Sequence, residues 1–181
     1  MKNVAIVLLA AGLAASAAGA TNSTPKPVAR ATCNSIIDER SSPRNGGQVF
    51  FDRVAIWPQQ FVIPMHYFPS LGPFRWWGKQ GIEVKAGREP VDLTVPRFWR
   101  DRVTITWGDS GGRQGASVVR ILGCEPSPSE EPPNPWWAYP GGFFAREPLC
   151  LPLVVRVGNR RAFVPVAVGK PCPPGSRAFS F

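Results

Sequence analysis

The sequence predicts an all-β protein, an immunoglobulin-like sandwich of two sheets with about seven to nine short strands joined by long loops. Three observations favour this class. Apolar and polar residues alternate with period two in one segment after another, as in half-buried strands. The 181 residues include 21 prolines, which interrupt helices. No window of the sequence carries the apolar stripe of an amphipathic helix.

Residues 1–20 predict a signal peptide. Lys2 precedes an apolar, Ala-rich run over 4–17, and the small residues 18–20 form a cleavage site. A membrane anchor is the alternative, but the run is shorter than a membrane span and alanine contributes little hydrophobicity. We therefore expect a protein that is secreted or otherwise extracytoplasmic, in a bacterial cell envelope or outside the cell, with no transmembrane anchor after cleavage.

Two further parts follow the signal peptide. Residues 21–47 are polar and rich in Pro, Ser and Thr, which is typical of a tail and lead-in, here tied down by Cys33. Residues 48–181 predict a single β-sandwich domain, which is long enough to bury a core of its own.

The alternation predicts the strands in order. The first covers 48–57, where both faces are apolar except for one charge on each. The last two strands flank Gly158-Asn159-Arg160, a hairpin turn in which Gly and Asn readily adopt positive φ. The strand segments after the first are 81–87, 91–95, 102–107, 116–122, 151–157 and 162–168.

Two long segments, 58–81 and 125–142, interrupt this rhythm and are rich in both proline and aromatic residues. Structureless connections of this length are uncommon in compact domains unless they are functional or disordered. Disorder favours sequences with few aromatics. We therefore expect both loops to pack against the domain or to present a binding surface.

The chain is strongly basic, with 21 Lys and Arg against 12 Asp and Glu and a net charge of +9. A basic surface attracts anionic partners such as an acidic polysaccharide, lipid headgroups or nucleic acid. The charge can instead serve only to keep a Trp-rich secreted protein soluble. Basic residues among aromatics are the footprint of single-strand nucleic-acid binders, but export disfavours nucleic acid as a partner. A membrane surface fits the charge, although no amphipathic helix is visible.

The four cysteines are Cys33, Cys124, Cys150 and Cys172, and in an exported chain they predict two disulfides. Three connectivities are open. No C-x-x-C pair occurs and His66 is the only histidine, so the sequence offers no set of zinc ligands. Phosphate-cradling glycine loops are absent as well, and we expect neither a metal nor a cofactor.

The stretch TWGDSGGRQG contains Gly-Asp-Ser-Gly-Gly at residues 108–112, which resembles the nucleophile segment of chymotrypsin-like serine proteases. The resemblance implies Ser110 as nucleophile and His66 as its base. The family usually has proline where Arg113 stands, and only 44 residues separate the histidine from the serine, too few for the rest of one barrel. We interpret the stretch as the turn of a β-hairpin and expect no enzyme, with a hydrolase using Ser110 as a remote alternative.

The C-terminal third carries a second resemblance. WWAYPGGFFAREPLCLPLVVRVG is followed by VPVAVGKPC, so that an aromatic segment ending in Gly-Gly-Phe precedes Cys-x-Pro-Leu at 150–153, a hairpin, and a closing Gly169…Cys172. This pattern, with Cys124 before it, resembles a group of small secreted bacterial proteins of uncharacterised function. The resemblance implies an exported β-sandwich and no particular activity.

The predicted hairpin limits the disulfides. Its second strand returns toward the start of the first, which brings Cys150 and Cys172 to the same edge of the sheet, and Cys124 closes a strand that also reaches this edge. From these positions we expect a Cys124–Cys150 bridge that staples the second aromatic loop, and a Cys33–Cys172 bridge that joins the termini.

The aromatic loops give the leading functional hypothesis, a secreted, non-catalytic binding or interaction module for an anionic cell-envelope polymer or glycan. Each loop holds an adjacent Trp pair, and neighbours in an extended segment point to opposite sides, so one Trp of each pair should be near the surface. Exposed Trp and Tyr rings stack on sugars, and nearby cations hold anionic groups. The candidate ligand-binding residues are Arg75, Trp76, Trp77, Lys79, Trp136, Trp137, Tyr139 and Arg146.

Two alternatives remain open at this point. The Trp pairs can instead cap the open ends of the sandwich as core residues. The protein can also be a structural or protein-interaction β-sandwich with no small ligand, in which the last two strands offer an edge to a protein partner. Pro165 lacks an N–H and is typical of an edge strand protected against such pairing.

Overall fold

The computed structural model describes residues 28–44, 47–57, 61–108, 110, 114–126 and 134–181, and the predicted signal peptide lies outside these ranges. The described residues form fifteen strands and two 3-10 helices, which confirms the all-β class. The strands are β1 Ala29–Ala31, β2 Asp38–Arg40, β3 Gln48–Phe50, β4 Val54–Ile56, β5 His66–Tyr67, β6 Trp76–Lys79, β7 Ile82–Lys85, β8 Val91–Thr94, β9 Val103–Trp107, β10 Val118–Ile121, β11 Trp136–Tyr139, β12 Gly141–Ala145, β13 Leu149–Val157, β14 Arg160–Val168 and β15 Phe179–Ser180. The 3-10 helices are Cys33–Ser35 and Arg97–Trp99.

Sheet A has six strands in the order β1-β10-β8-β13-β14-β15. Its centre is the long β13–β14 hairpin, which pairs from Leu149 opposite Val168 to Val157 opposite Arg160. Gly158 in the turn has a φ of 55°, a value that a residue with a Cβ adopts at a cost, and the predicted hairpin is thereby confirmed. All pairs in this sheet are antiparallel except β1 with β10.

Sheets B and C are smaller. Sheet B has five described strands in the order β2-β11-β7-β4-β3, and sheet C has four in the order β5-β6-β12-β9. The described strands thus belong to three sheets, where the sequence predicted two, and they outnumber the seven to nine that were expected. The described part of the predicted tail over 21–47 also joins the fold, because it supplies β1 to sheet A and β2 to sheet B.

The single strand predicted over 48–57 is a hairpin. The β3 and β4 strands pair with each other, and the Arg53 N–H donates to the Phe50 carbonyl oxygen across the turn at 3.0 Å. Phe51 and Asp52, the two central residues, have φ values of 59° and 53°. Positive φ at both central positions belongs to tight hairpin turns, but this turn lacks the glycine that usually marks one, which is why alternation alone missed it.

A row of inward-facing aliphatic residues on β13 shows how the core is built. Leu151, Leu153 and Val155 are fully buried, while Pro152 and Val154 between them are only half-buried. Each fully buried Val, Leu or Ile side chain stabilises the folded state by about 1.5–3 kcal/mol. The alternation predicted from the sequence is therefore the pattern that selects the core face of sheet A.

A buried arginine joins the β3–β4 turn to the end of β7. The Arg53 guanidinium donates to the carbonyl oxygens of Lys85, Gly87 and Glu89, the last two at 2.6 and 2.7 Å. Only 7% of the residue is exposed, and burial lowers the pKa of its guanidinium. Because buried carbonyls need hydrogen-bond partners, this side chain holds together a turn that lacks glycine at its centre.

The disulfides are Cys33–Cys124 and Cys150–Cys172, so the expected pairing of Cys124 with Cys150 and Cys33 with Cys172 is wrong. The reason is the parallel pairing of β1 with β10, in which Ala31 lies opposite Ile121. Parallel strands end on the same side of a sheet, and Cys33 and Cys124 each follow shortly after those ends. Alternation did not predict β1, since its residues resemble a polar tail.

The two bridges use all four cysteines and leave none free. Such disulfides persist in oxidising compartments, so they indicate an extracytoplasmic location. Among the described residues, no helix has the length and apolarity needed to span a membrane.

Candidate functional site

Sheet C gathers half of the predicted binding residues. Alternation places Trp77 and Lys79 of β6 on its outer face, while Arg75 immediately precedes β6 and Arg146 immediately follows the paired strand β12. His66 of β5 lies directly opposite Trp77 on that same face. We call this set the sheet C surface: His66, Arg75, Trp77, Lys79 and Arg146.

Trp77 is the centre of the sheet C surface. It is half-buried, and its indole packs against the Phe144 ring with the centroids 4.3 Å apart. Gly142 makes room for it, because a Cβ at that position would lie 2.9 Å from the indole and 2.0 Å from the Gly78 carbonyl oxygen. Phe144 and Gly142 therefore hold the indole in place while part of the ring stays open to solvent.

The four polar members of the surface are exposed, and three of them are cations. No carboxylate in the described part of the chain forms an ion pair with Arg75, Lys79 or Arg146. The Arg75 guanidinium donates to the Tyr67 hydroxyl at 3.3 Å, and that of Arg146 lies 5.7 Å from the Phe74 ring centroid. Their positive charge is thus available to an anionic ligand.

The segment after β9 covers the remaining part of this face. Thr104 donates its hydroxyl to the Gln114 carbonyl oxygen at 2.7 Å, and Thr106 donates to the carbonyl oxygen of Ser110. Both threonines are buried as a result. This segment contains the described residues of the Gly-Asp-Ser-Gly-Gly stretch. It therefore covers the β9 side of the sheet C surface.

Ser110 lies in this covering segment and is hydrogen-bonded to the backbone of Trp107. Its hydroxyl accepts a hydrogen bond from the Trp107 N–H at 3.0 Å and donates to the carbonyl oxygen of the same residue, and only 3% of Ser110 is exposed. Both hydrogen-bonding functions of the hydroxyl are therefore used by backbone groups of the preceding strand. Asp109 lies outside the described residues.

The stretch is not the turn of a regular hairpin. Strand β9 belongs to sheet C and β10 to sheet A, and Ile105 with Ala116 forms the bridge between the two segments. The residue types predicted a turn correctly, but the strands on either side separate into different layers after one bridge.

Three of the predicted binding residues are buried, and this part of the prediction is wrong. Trp136, Trp137 and Tyr139 form β11, which lies between β2 and β7 in sheet B, and their exposed fractions are 5%, 5% and 1%. Neighbours in a strand do point to opposite sides, but both sides of this inner strand are covered. The expected exposed Trp of the second pair therefore does not exist.

The buried β11 side chains instead surround a disulfide. The Trp137 indole N–H donates to the Cys124 carbonyl oxygen at 3.1 Å, and the Tyr139 hydroxyl lies 3.3 Å from Cys124 Sγ. Since that sulfur carries no proton in the disulfide, the hydroxyl is the donor. Burial raises the pKa of Tyr139 to about 12, against a smaller opposing effect of the Arg53 charge.

Trp76 faces the other side of sheet C from Trp77. It is half-buried, packs against the core, and meets the Tyr67 ring edge-to-face at 5.2 Å. One Trp of this first pair is thus directed toward the core and the other toward the outer face, as the alternation predicted.

Sequence reasoning missed His66, Phe144 and Gly142 as members or supports of the surface. Gly142 and Phe144 belong to the Gly-Gly-Phe-Phe run, whose glycine has a φ of 157° and faces the indole of Trp77. A glycine diagonally opposite a Trp on the neighbouring strand could have signalled a ring lying over the backbone, but the pairing of β6 with β12 was not predicted.

A cavity of about 210 Å³ opens beside the sheet C surface, and Lys79 lines it. Its other walls include Trp57 and the Glu83 carboxylate, which accepts a hydrogen bond from the Arg44 N–H at 2.8 Å. Within the described ranges no group of three or more His, Cys, Asp and Glu side chains is placed to hold a metal ion.

Comparison with models of known protein families, with curated proteins and with solved structures gives no match for this chain.

Proposed function

We propose that this protein is a secreted, non-catalytic binding module of the bacterial cell envelope or the extracellular space, and that its ligand is an anionic glycan or other anionic envelope polymer. One observation carries the proposal: a partly open indole, Trp77, is held by Phe144 among three exposed cations that have no carboxylate partner in the described chain. The two disulfides and the sequence of residues 1–20 support an extracytoplasmic site of action.

The chemistry of the surface matches such a ligand. A sugar ring packs its C–H face on an indole, and an anionic substituent on that ring or on the next one meets a guanidinium or ammonium group. Arg75 and Lys79 lie on either side of Trp77 along the β6 segment, and Arg146 follows the neighbouring β12. This spread of charge along two strands suits a polymer with repeated negative charges better than a single small anion.

We also propose that the sheets stack as in an immunoglobulin-like sandwich. Buried residues of sheets A, B and C belong to a single apolar cluster, which supports layers that share one core.

The test of the function is calorimetric titration of the oxidised protein with alginate, a defined uronic-acid polymer, and with a neutral glucan, at low and at high salt. We expect saturable binding of alginate that weakens with salt without vanishing. Trp77→Ala should weaken binding about tenfold or more, as truncation of an aromatic anchor does.

The matched control is Trp99→Ala, since Trp99 is also half-buried beside an arginine, Arg102, but lies outside sheet C. The control should bind alginate as the unaltered protein does. Binding that vanishes with salt and is the same for both Trp variants would reduce the interaction to net charge and overturn the proposal.

A further inference from the structure

A row of charged side chains crosses the outer face of sheet A from one edge strand to the β14 strand. The register places Arg30 beside Arg120, Asp92 between Arg120 and Arg156, and Arg161 beside Arg156. Each of these residues lies on the side of its strand opposite the buried core residues. We call these five residues the arginine row.

The arginine row contains one carboxylate, which pairs with two of its four arginines. Asp92 accepts two hydrogen bonds from Arg120, at 2.6 and 2.9 Å, and one from Arg156 at 2.6 Å. These bonds, that of Arg120 first, hold the pKa of the Asp92 carboxyl below its usual value. Arg30 and Arg161 are exposed and form no ion pair with a described carboxylate, so the row retains an excess of positive charge.

A second row, directly beside the first, is apolar. The register aligns Val118 with Thr94, Thr94 with Val154, Val154 with Phe163, and Phe163 with Phe179. The first four side chains are half-buried, and 58% of Phe179 is exposed. We call these five residues the apolar row.

The apolar row ends in a cluster of phenylalanines at the β15 edge. The rings of Phe163, Phe179 and Phe181 are stacked, with centroids 5.0 to 6.1 Å apart, and 58% of Phe181 is exposed. The Arg161 guanidinium lies 4.7 Å from the Phe181 ring centroid, so the cluster joins the two rows. Contiguous exposed apolar side chains rimmed by polar ones mark interaction surfaces rather than ordinary protein surface.

We propose that the outer face of sheet A docks on an anionic lipid surface. The guanidinium groups of the arginine row bind lipid phosphates bidentately, and the phenylalanine cluster enters the boundary between headgroups and acyl chains. A bilayer surface offers both partners side by side over a wide area, as the two adjacent rows require. This site is on a different sheet from the sheet C surface and does not depend on the function proposed for it.

The charge pattern disfavours two other occupants. A second copy of the chain, packed face to face, would bring its arginine row against the same row with few carboxylates to neutralise it. A soluble anionic polymer would neutralise the arginines but leave Val118, Val154 and the phenylalanine cluster exposed to water.

The test is co-sedimentation of the oxidised protein with vesicles of phosphatidylcholine alone and with vesicles containing equal parts of phosphatidylglycerol. We expect binding only with phosphatidylglycerol. The double variant Arg30→Gln, Arg161→Gln leaves the Asp92 network intact and should lower partitioning about thirtyfold, given the usual contribution of an arginine near an anionic surface. Because the variants differ from one another only in the substituted side chains, differences in partitioning report on those side chains.

The matched control, Arg97→Gln with Arg100→Gln, removes the same charge at exposed positions outside the sheets and should change partitioning less than about threefold. In a second pair, Phe179→Ser with Phe181→Ser should abolish the binding that survives high salt, while Phe98→Ser, at the most exposed phenylalanine, should not.

Three results would overturn the proposal. Equal losses in the two arginine pairs would mean that net charge alone drives binding. Equal binding to both vesicle types would remove the arginine row from the interaction. Competition by soluble polyphosphate, unaffected by the phenylalanine variants, would assign the row to a soluble polymer.

Discussion

Ser110 is bonded twice to the backbone of one residue, Trp107, and it closes the turn that ends β9. The five residues around it match the nucleophile segment of a protease, yet the hydroxyl caps the backbone N–H and carbonyl oxygen of Trp107. The same residue types serve both purposes because Gly, Asp and Ser are small, polar and tolerant of unusual φ. The letters of a motif therefore predict chemistry only where a base is also positioned.

Replacement of Ser110 by alanine should destabilise the protein by about 1–2 kcal/mol, because the buried Trp107 N–H loses its partner. Urea unfolding measures this change, with the half-buried Ser117→Ala as control, for which we expect less than about 0.5 kcal/mol. The unaltered protein should not react with a fluorophosphonate probe. Covalent labelling at Ser110 would contradict the non-catalytic proposal outright.

At the scale of the elements, alternation located the strands that have one core face. The predicted segments over 81–87, 91–95 and 102–107 contain β7, β8 and β9, and the long hairpin was found with its turn. In β8 the alternation places Val91 and Leu93 in the core and Asp92 on the other face. Asp92 is nonetheless buried, since two arginines of neighbouring strands cover it.

Alternation failed where both faces of a strand are covered, and where a tight turn has no glycine at its centre. Trp136 and Trp137 are each only 5% exposed, although alternation directs them to opposite faces of β11. The β3–β4 turn passes through Phe51 and Asp52 at positive φ, and Arg53, which follows them in the turn, donates to carbonyl oxygens 32 to 36 residues further along the chain. Long-range pairing decides both cases, and a single sequence carries no record of which strands pair.

The three hydrogen bonds of the Arg53 guanidinium lead to a prediction for the stability of this turn. Arg53→Lys should lower stability by about 2–4 kcal/mol, because one ammonium cannot reach the three carbonyl oxygens that the guanidinium satisfies. Thermal and urea unfolding measure the loss. The control Arg88→Lys, at a side chain that is 85% exposed, should leave the urea midpoint unchanged; equal effects would show that the buried carbonyls do not matter.

For the whole molecule, the sequence established the all-β class and the oxidising compartment, but not the layers or the bridges. The sheet C surface was predicted in part, through Arg75, Trp77, Lys79 and Arg146. Its supports were not, because they come from strands whose partners could not be deduced. The disulfides failed for the same reason, since Cys33 reaches Cys124 only through the parallel pairing of β1.

The two bridges should contribute unequally to stability. Cys33–Cys124 spans 91 residues and Cys150–Cys172 spans 22. Because closing a longer loop restricts the unfolded chain more, replacing the first pair by alanine should cost about 1 kcal/mol more than replacing the second. Urea unfolding of the two double variants measures this difference, and the opposite ranking would contradict the loop-entropy explanation.

The order of the bridges along the chain also has a consequence for biogenesis. The first cysteine pairs with the second and the third with the fourth. A chain that enters an oxidising compartment N-terminus first presents its thiols in that same order, so an oxidase that joins each new thiol to the one still waiting makes the native bridges directly. We therefore expect an exported chain to mature by oxidation without reshuffling by a disulfide isomerase.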